Sequence, residues 1–124
     1  MNMPRKKEIL FCDYYDEWIE VYKVGAIADI TLQKYYQVAR VLREICPKLV
    51  ISEFDRREYQ RIINVYAETH EKQTVIDFHH LVKSCIKDLF YDGQLERDPT
   101  FKVVLKGSEP RRNKKEKNFF KWMN

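Results

Sequence analysis

Residues 73–100 read QTVIDFHHLVKSCIKDLFYDGQLERDPT, and this stretch decides the fold. Val75, Phe78, Val82, Cys85 and Leu89 recur at spacings of three and four, the period of one buried helix face. The run closes at Asp92-Gly93 and is followed by Asp98-Pro99-Thr100. Gly takes the left-handed conformation past a helix end without a Cβ penalty, and Pro forbids a restart on the same axis. The body therefore reads as a finished helical unit. A basic tail, Arg111-Arg112-Asn113-Lys114-Lys115-Glu116-Lys117, then leads away from it.

Three shorter helices are expected upstream. The first spans about Ile9 to Tyr22, with Phe11, Tyr14 or Tyr15, Trp18 and Val21 or Tyr22 at helical spacing. Glu8, Asp13, Asp16, Glu17 and Glu20 crowd its remaining surface, an acidic outer face that would repel phosphate. After a loop at Gly25 to Asp29, a second helix from about Thr31 to Ile45 can be capped by Asp29 or Thr31 and is ended by Pro47. Leu32, Tyr35, Tyr36, Ala39 and Leu42 gather on one side of it, Gln33, Gln37 and Arg40 on the other, with Lys34 beside the first turn. Leu49, Ile51 and Phe54 form an apolar connector. Asp55 and Glu58 then have capping-box spacing for a third helix to about Glu68, with Tyr59, Ile62, Ile63 and Tyr66 inward. Thr69 to Lys72 is a polar break before the fourth helix, which carries His80, Lys83 and Lys87 opposite its core stripe with hardly an acid among them. Residues 101–105 alternate too briefly to separate a short helix from an extended strap. The fold class is all-α, a bundle of four main helices.

Composition narrows the functions. The chain has 124 residues, enough for one modest core, and only three Gly and four Pro. No apolar run is long enough for a membrane span, and the start lacks a signal-peptide core, so no membrane partner and a cytoplasmic location are expected. Cys12, Cys46 and Cys85 are odd in number and widely spaced, which suits reduced, buried thiols. Six of the 23 basic side chains and one of the 19 acids fall in residues 111–124, leaving 17 basic and 18 acidic residues in 1–110. A protein that coats DNA uniformly is excluded; a directional binder with one positive face is not.

Catalytic chemistry finds no footing. His79 and His80 diverge by about 100° on a helix, His70 lies elsewhere, and no Cys pair has zinc-knuckle spacing, so no metal is expected. There is no nucleophile elbow and no phosphate-cradling Gly loop, and no Tyr has an activating Arg and His set. No cofactor is expected, and the chain alone is not expected to be an enzyme. The polar stripes are better candidates. Thr31, Gln33, Lys34, Gln37 and Arg40 on helix two, and Lys72, Gln73, Thr74, His80, Lys83 and Lys87 on helix four, combine hydroxyls, amides and cations near helix N-termini. Such groups meet phosphates and base edges of duplex DNA. The plain alternative is a solvated helix face.

The order Phe11-x-x-x-Tyr15-x-x-Trp18, Thr31-Leu32-x-x-Tyr35, Thr74-Val75 and Asp92-Gly93-x-Leu95-x-x-Asp98-Pro99-Thr100 resembles the core-binding domain of phage-type tyrosine recombinases (integrases), a SAM-like four-helix module. The resemblance covers about residues 9–107, with Asp98-Pro99 where the family usually has Asn-Pro. It implies half of a C-shaped clamp on the recombination core site of double-stranded DNA, with helices two and four at the major groove and other recombinase protomers as partners. By position, Thr31, Lys34, Gln73 and Thr74 would meet phosphates, and Gln33, Gln37, Arg40, His80, Lys83 and Lys87 would lie near the groove. It further implies a bacterial or phage-encoded source. The family's catalytic Arg, Lys, His and Tyr belong to a following domain, whose opening residues 119–124 resemble. The expected organisation is an N-terminal extension at 1–8, the helical domain at 9–107, a basic interdomain linker at 108–118 beside the DNA (Arg111, Arg112, Lys114, Lys115) and the start of a catalytic domain at 119–124. Two alternatives stand beside it, a helical protein-interaction adaptor and a free-standing recombination accessory factor.

Overall fold

The computed structural model describes residues 9–108, and they form an all-helical body. Helix α1 (Phe11–Trp18) runs on through a π-helical turn at Ile19–Lys23, in which the Val24 N–H reaches back five residues to the Ile19 carbonyl at 3.1 Å. Helix α2 (Asp29–Ile45), α3 (Arg56–Ala67) and α4 (Lys72–Tyr91) follow, with a 3₁₀ turn at Ile51–Glu53 before α3. Among the described residues the only strand-like pairing is an isolated antiparallel bridge between Leu10 and Val50. It holds the entry to α1 through Phe11 N–H to Leu49 O and Ile51 N–H to Ile9 O, both 2.9 Å.

The core is the set of stripes read from the sequence. Phe11, Tyr15 and Trp18 of α1, Tyr35, Ala39 and Leu42 of α2, Tyr59, Ile62 and Ile63 of α3, and Val75, Phe78, Val82, Cys85 and Leu89 of α4 are all buried. Val38, which the sequence reading did not single out, joins them. Trp18 ties three helices: its indole N–H donates to Asp88 of α4 at 2.7 Å, and its ring meets Tyr35 of α2 edge-on at 5.6 Å. All three cysteines are buried free thiols.

Helix ends follow local chemistry in some places and not in others. Gly93 has φ +82°; its N–H reaches Phe90 O at 3.0 Å and the Gln94 N–H reaches Leu89 O at 3.2 Å. These two bonds make a Schellman cap on α4. Asp55 caps α3 by accepting from the Glu58 N–H at 2.8 Å, but the Glu58 carboxylate turns to Arg61 instead of completing a capping box. Neither Asp29 nor Thr31 caps α2. The N-cap is Ala28, which has no side-chain acceptor, and both residues lie inside the first turn.

Residues 101–108 resolve as a strap. Val103 and Leu105 pack on the core, and Gln60 of α3 exchanges two 2.9 Å hydrogen bonds with the Val104 backbone. At its end Ser108 N–H donates to His70 O at 2.8 Å. Gly107 lies so close to the start of α4 that a Cβ there would overlap the backbone N and Cα of Lys72.

Candidate nucleic-acid interface

Helix directions determine which polar side chains meet. Arg43 near the end of α2 pairs with Asp13 and Asp16 near the start of α1, and Tyr36, earlier in α2, donates to Glu20, later in α1. These two helices are therefore antiparallel. Tyr15 donates to Leu81 O at 3.0 Å and Trp18 to Asp88, so α1 and α4 run in broadly the same sense. Trp18 of α1 touches both Tyr35 of α2 and Asp88 of α4, which brings these two helices together.

Between them lies an open groove of about 460 Å³. Thr31, Lys34, Gln37, Val38 and Val41 of α2 form one wall; Thr74, Asp77, Phe78, His80 and Leu81 of α4, with Tyr66 of α3, form the other. The groove runs along α2 from Thr31, in its first turn, to Val41 and along α4 from Thr74, in its first turn, to Leu81. From Thr31 to Val41 is about 15 Å along the helix, at 1.5 Å rise per residue. Neither helix has a side-chain cap on its first turn, so backbone N–H groups there point outward. The strap covers the very first of them on α4, at Lys72.

Thr31, Lys34, Gln37, Thr74 and His80 are thus brought together. Gln33, Arg40, Lys72, Gln73 and Lys87 are exposed but lie outside the groove walls. Lys83 is half-buried and sits on the flank of α4 that carries His79. Arg111, Arg112, Lys114 and Lys115 fall outside the described residues, as do 1–8 and 119–124.

The charges sort themselves around this groove. Among the described residues, Lys34, Arg40, Lys83 and Lys87 form no ion pair, whereas several acids are occupied inside the fold. Asp13 and Asp16 hold Arg43, Glu58 holds Arg61, Asp88 takes the Trp18 indole, and Asp98 accepts from both the N–H and the hydroxyl of Thr100. The acidic side of α1 is therefore partly turned onto α2 rather than wholly outward. Asp77, passed over in the sequence, is the exception that lines the groove; its Oδ1 accepts from Gln73 Nε2 at 3.1 Å. Tyr66 was also expected inward, yet it borders the groove while stacking between His70 at 3.9 Å and Phe78 at 4.1 Å.

His79 and His80 part as a helix requires. His80 is exposed, while His79 is buried with its Nδ1 2.7 Å from the Tyr59 hydroxyl. Burial, helped by the neighbouring His80 and Lys83, pushes His79 down to about 4, and burial raises Tyr59. At neutral pH the imidazole is uncharged and shares a hydrogen bond with the Tyr59 hydroxyl, a buried structural pair. A larger cleft of about 1010 Å³ lies between the start of α3 and the segment after α4. Its Arg56, Arg57 and Arg97 are balanced by Asp55, Glu96 and Asp98, so it offers no net attraction for phosphate.

Comparison with solved structures returns the same architecture. The crystal structure of the N-terminal domain of the prophage pi2 protein 01, an integrase from Lactococcus lactis, matches at a TM-score of 0.76 and 38% identity, covering 84% of this chain and 97% of that one. The solution NMR structure of a phage integrase fragment from Staphylococcus saprophyticus matches at 0.67 and 25% identity, covering 77% and 87%. No family model matches the chain, and no curated protein does.

Proposed function

Given that the chain belongs to the family of phage-integrase N-terminal domains, we propose that it grips duplex DNA at a recombination core site for a tyrosine recombinase whose cutting and rejoining chemistry lies in another domain. The observation that carries this reading is the groove between α2 and α4. It collects Thr31, Lys34, Gln37, Thr74 and His80 from two helices, with Thr31 and Thr74 each in a first turn. Each helix start offers N–H groups without a side-chain cap and the positive end of a helix dipole, both favourable for phosphate. Thr31 and Thr74, each in a first turn, can meet phosphates while Lys34, Gln37 and His80 line the groove beside them. Arg40 and Lys87 flank this surface, and the tail cations Arg111, Arg112, Lys114 and Lys115 extend the contact as a linker beside the duplex. Other recombinase protomers, each holding a half-site, are the protein partners.

Fluorescence anisotropy of the chain on a short duplex, measured across salt concentrations, tests it. With about four to six phosphate contacts, log affinity should fall against log salt with a slope near −4 to −5. A salt-independent interaction rules the mechanism out.

The adaptor reading has one observation in its favour. Val21, Tyr22, Val24 and Ile30 are exposed apolar side chains clustered in sequence around the turn between α1 and α2. Binding to duplex that survives Ile30→Glu separates the two surfaces; loss of DNA binding in that variant would join them.

A further inference from the structure

Asp77 is out of place on a surface meant for phosphate. It lines the groove opposite Lys34 and Gln37, is exposed, and among the described residues forms no ion pair. A carboxylate there repels every backbone phosphate, so on nonspecific duplex it is a cost. Its oxygens can only accept hydrogen bonds, and the Gln73 amide fixes one of them from the preceding turn at 3.1 Å. In the major groove the donors that could satisfy it are the amino groups of cytosine and adenine. Adenine places its N7 acceptor beside that amino group, which a carboxylate would face unfavourably; cytosine does not.

We propose that Asp77, held by Gln73, is a specificity determinant of this domain that selects a cytosine amino group in the DNA major groove and weakens attachment to other sequences. The inference rests on the DNA-binding reading above and adds to it a residue that lowers nonspecific affinity in exchange for discrimination. Gln73 then acts as a positioning residue, since its amide orients the carboxylate.

The test is selection of bound duplexes from a pool with a randomised centre, using the full 124-residue chain and its Asp77→Asn and Gln73→Ala variants, with thermal melts to confirm that each is folded. The wild type should enrich a motif with one cytosine column. In Asp77→Asn that column alone should flatten or turn to adenine, which Asn reads, with discrimination at the position falling by about five- to tenfold or more. Affinity for a fixed nonspecific duplex should rise in the same variant, because a charge that repelled phosphate is gone. Gln73→Ala should blunt the column without converting it to adenine. An unchanged motif in Asp77→Asn, even with tighter nonspecific binding, overturns the inference and leaves DNA binding standing. A wild type that binds duplex but enriches no cytosine column also overturns it, and a wild type that binds no duplex overturns both readings.

Discussion

Replacing Lys34 by Ala separates a groove that grips DNA from a helix face that merely meets solvent. Lys34 lines the groove wall of α2, is exposed, and among the described residues has no carboxylate partner to lose. Folding stability should therefore move little, within about 0.5 kcal/mol for a surface change of this kind. If its ammonium neutralises one phosphate, the variant forgoes one share of counterion release, about 0.9 of slope on duplex DNA. A parent slope of about −4.5 corresponds to a roughly 500-fold affinity loss between 50 and 200 mM salt; with one contact fewer the slope is about −3.6 and the loss roughly 150-fold. Anisotropy titrations at four or five salt concentrations resolve that difference. Lys83→Ala provides an internal contrast. The sequence pattern gave it equal rank, but its half-buried place beside His79, outside the groove walls, predicts a smaller change than Lys34→Ala. Equal slopes for Lys34→Ala and the parent, or a larger effect from Lys83, would refute the assignment of this groove as the DNA-facing surface.

Deleting residues 109–124 should weaken binding to a heparin column yet leave the Lys34→Ala slope difference intact; if the difference vanishes with the tail, the tail alone holds the DNA. The neutral His79 also makes a pH prediction. Its folded value of about 4 lies below the unfolded value near 6.5, so its contribution is complete above pH 6.5 and is lost as pH falls toward 4. Because the ring lies at the edge of the core, a loss of about 1–2 kcal/mol is expected, and urea melts at pH 7 and pH 4.5 should show His79→Gln to be less acid-sensitive than the parent. Gly107→Ala should destabilise by about 1–3 kcal/mol as the strap is forced off the Lys72 backbone, read as a lower urea midpoint. Gly93→Ala, at φ +82°, should cost about 1 kcal/mol by the same assay.

The parts of this molecule that could be read in advance are those set by a few neighbouring residues. The core stripe of α4, the Schellman cap at Gly93 and the Asp55 cap of α3 each depend on side chains within a turn of one another. Asp98 belongs here too: its Oδ1 accepts two bonds from Thr100, and an Asp oxygen meets that demand as an Asn oxygen would. What escaped the sequence depends on distant partners. The π turn at Ile19–Lys23 adds a residue to the period, which a fixed 100° wheel does not anticipate. Asp13 and Asp16 read as outer-face acids until Arg43, some 30 positions later, is folded onto them. The start of α2 at Ala28 carries no local capping signal at all.

The groove shows why a list of polar residues was not yet a site. Both stripes were visible as stripes, but a helical wheel carries no information about the neighbour against which a helix is laid, or in which direction that neighbour runs. That information comes from α1, which antiparallels α2 through Arg43 and Tyr36 and parallels α4 through Tyr15 and Trp18. Only then do Lys34 and His80 share a wall-to-wall space while Lys83, on the same nominal stripe as His80, sits near His79 outside the groove walls. On the proposed reading, the acidic first helix would act on DNA binding only indirectly. Its carboxylates are drawn toward Arg43, its Trp18 ring touches both α2 and α4, and of the cations left without ion pairs among the described residues Lys34 lines the groove between those helices. A variant such as Trp18→Phe, which removes the indole bond to Asp88 but keeps the ring, should therefore weaken DNA binding only as far as it loosens the pairing of α2 with α4. Loss of affinity with an unchanged melting temperature would place Trp18 itself at the DNA, and this account of α1 would fail.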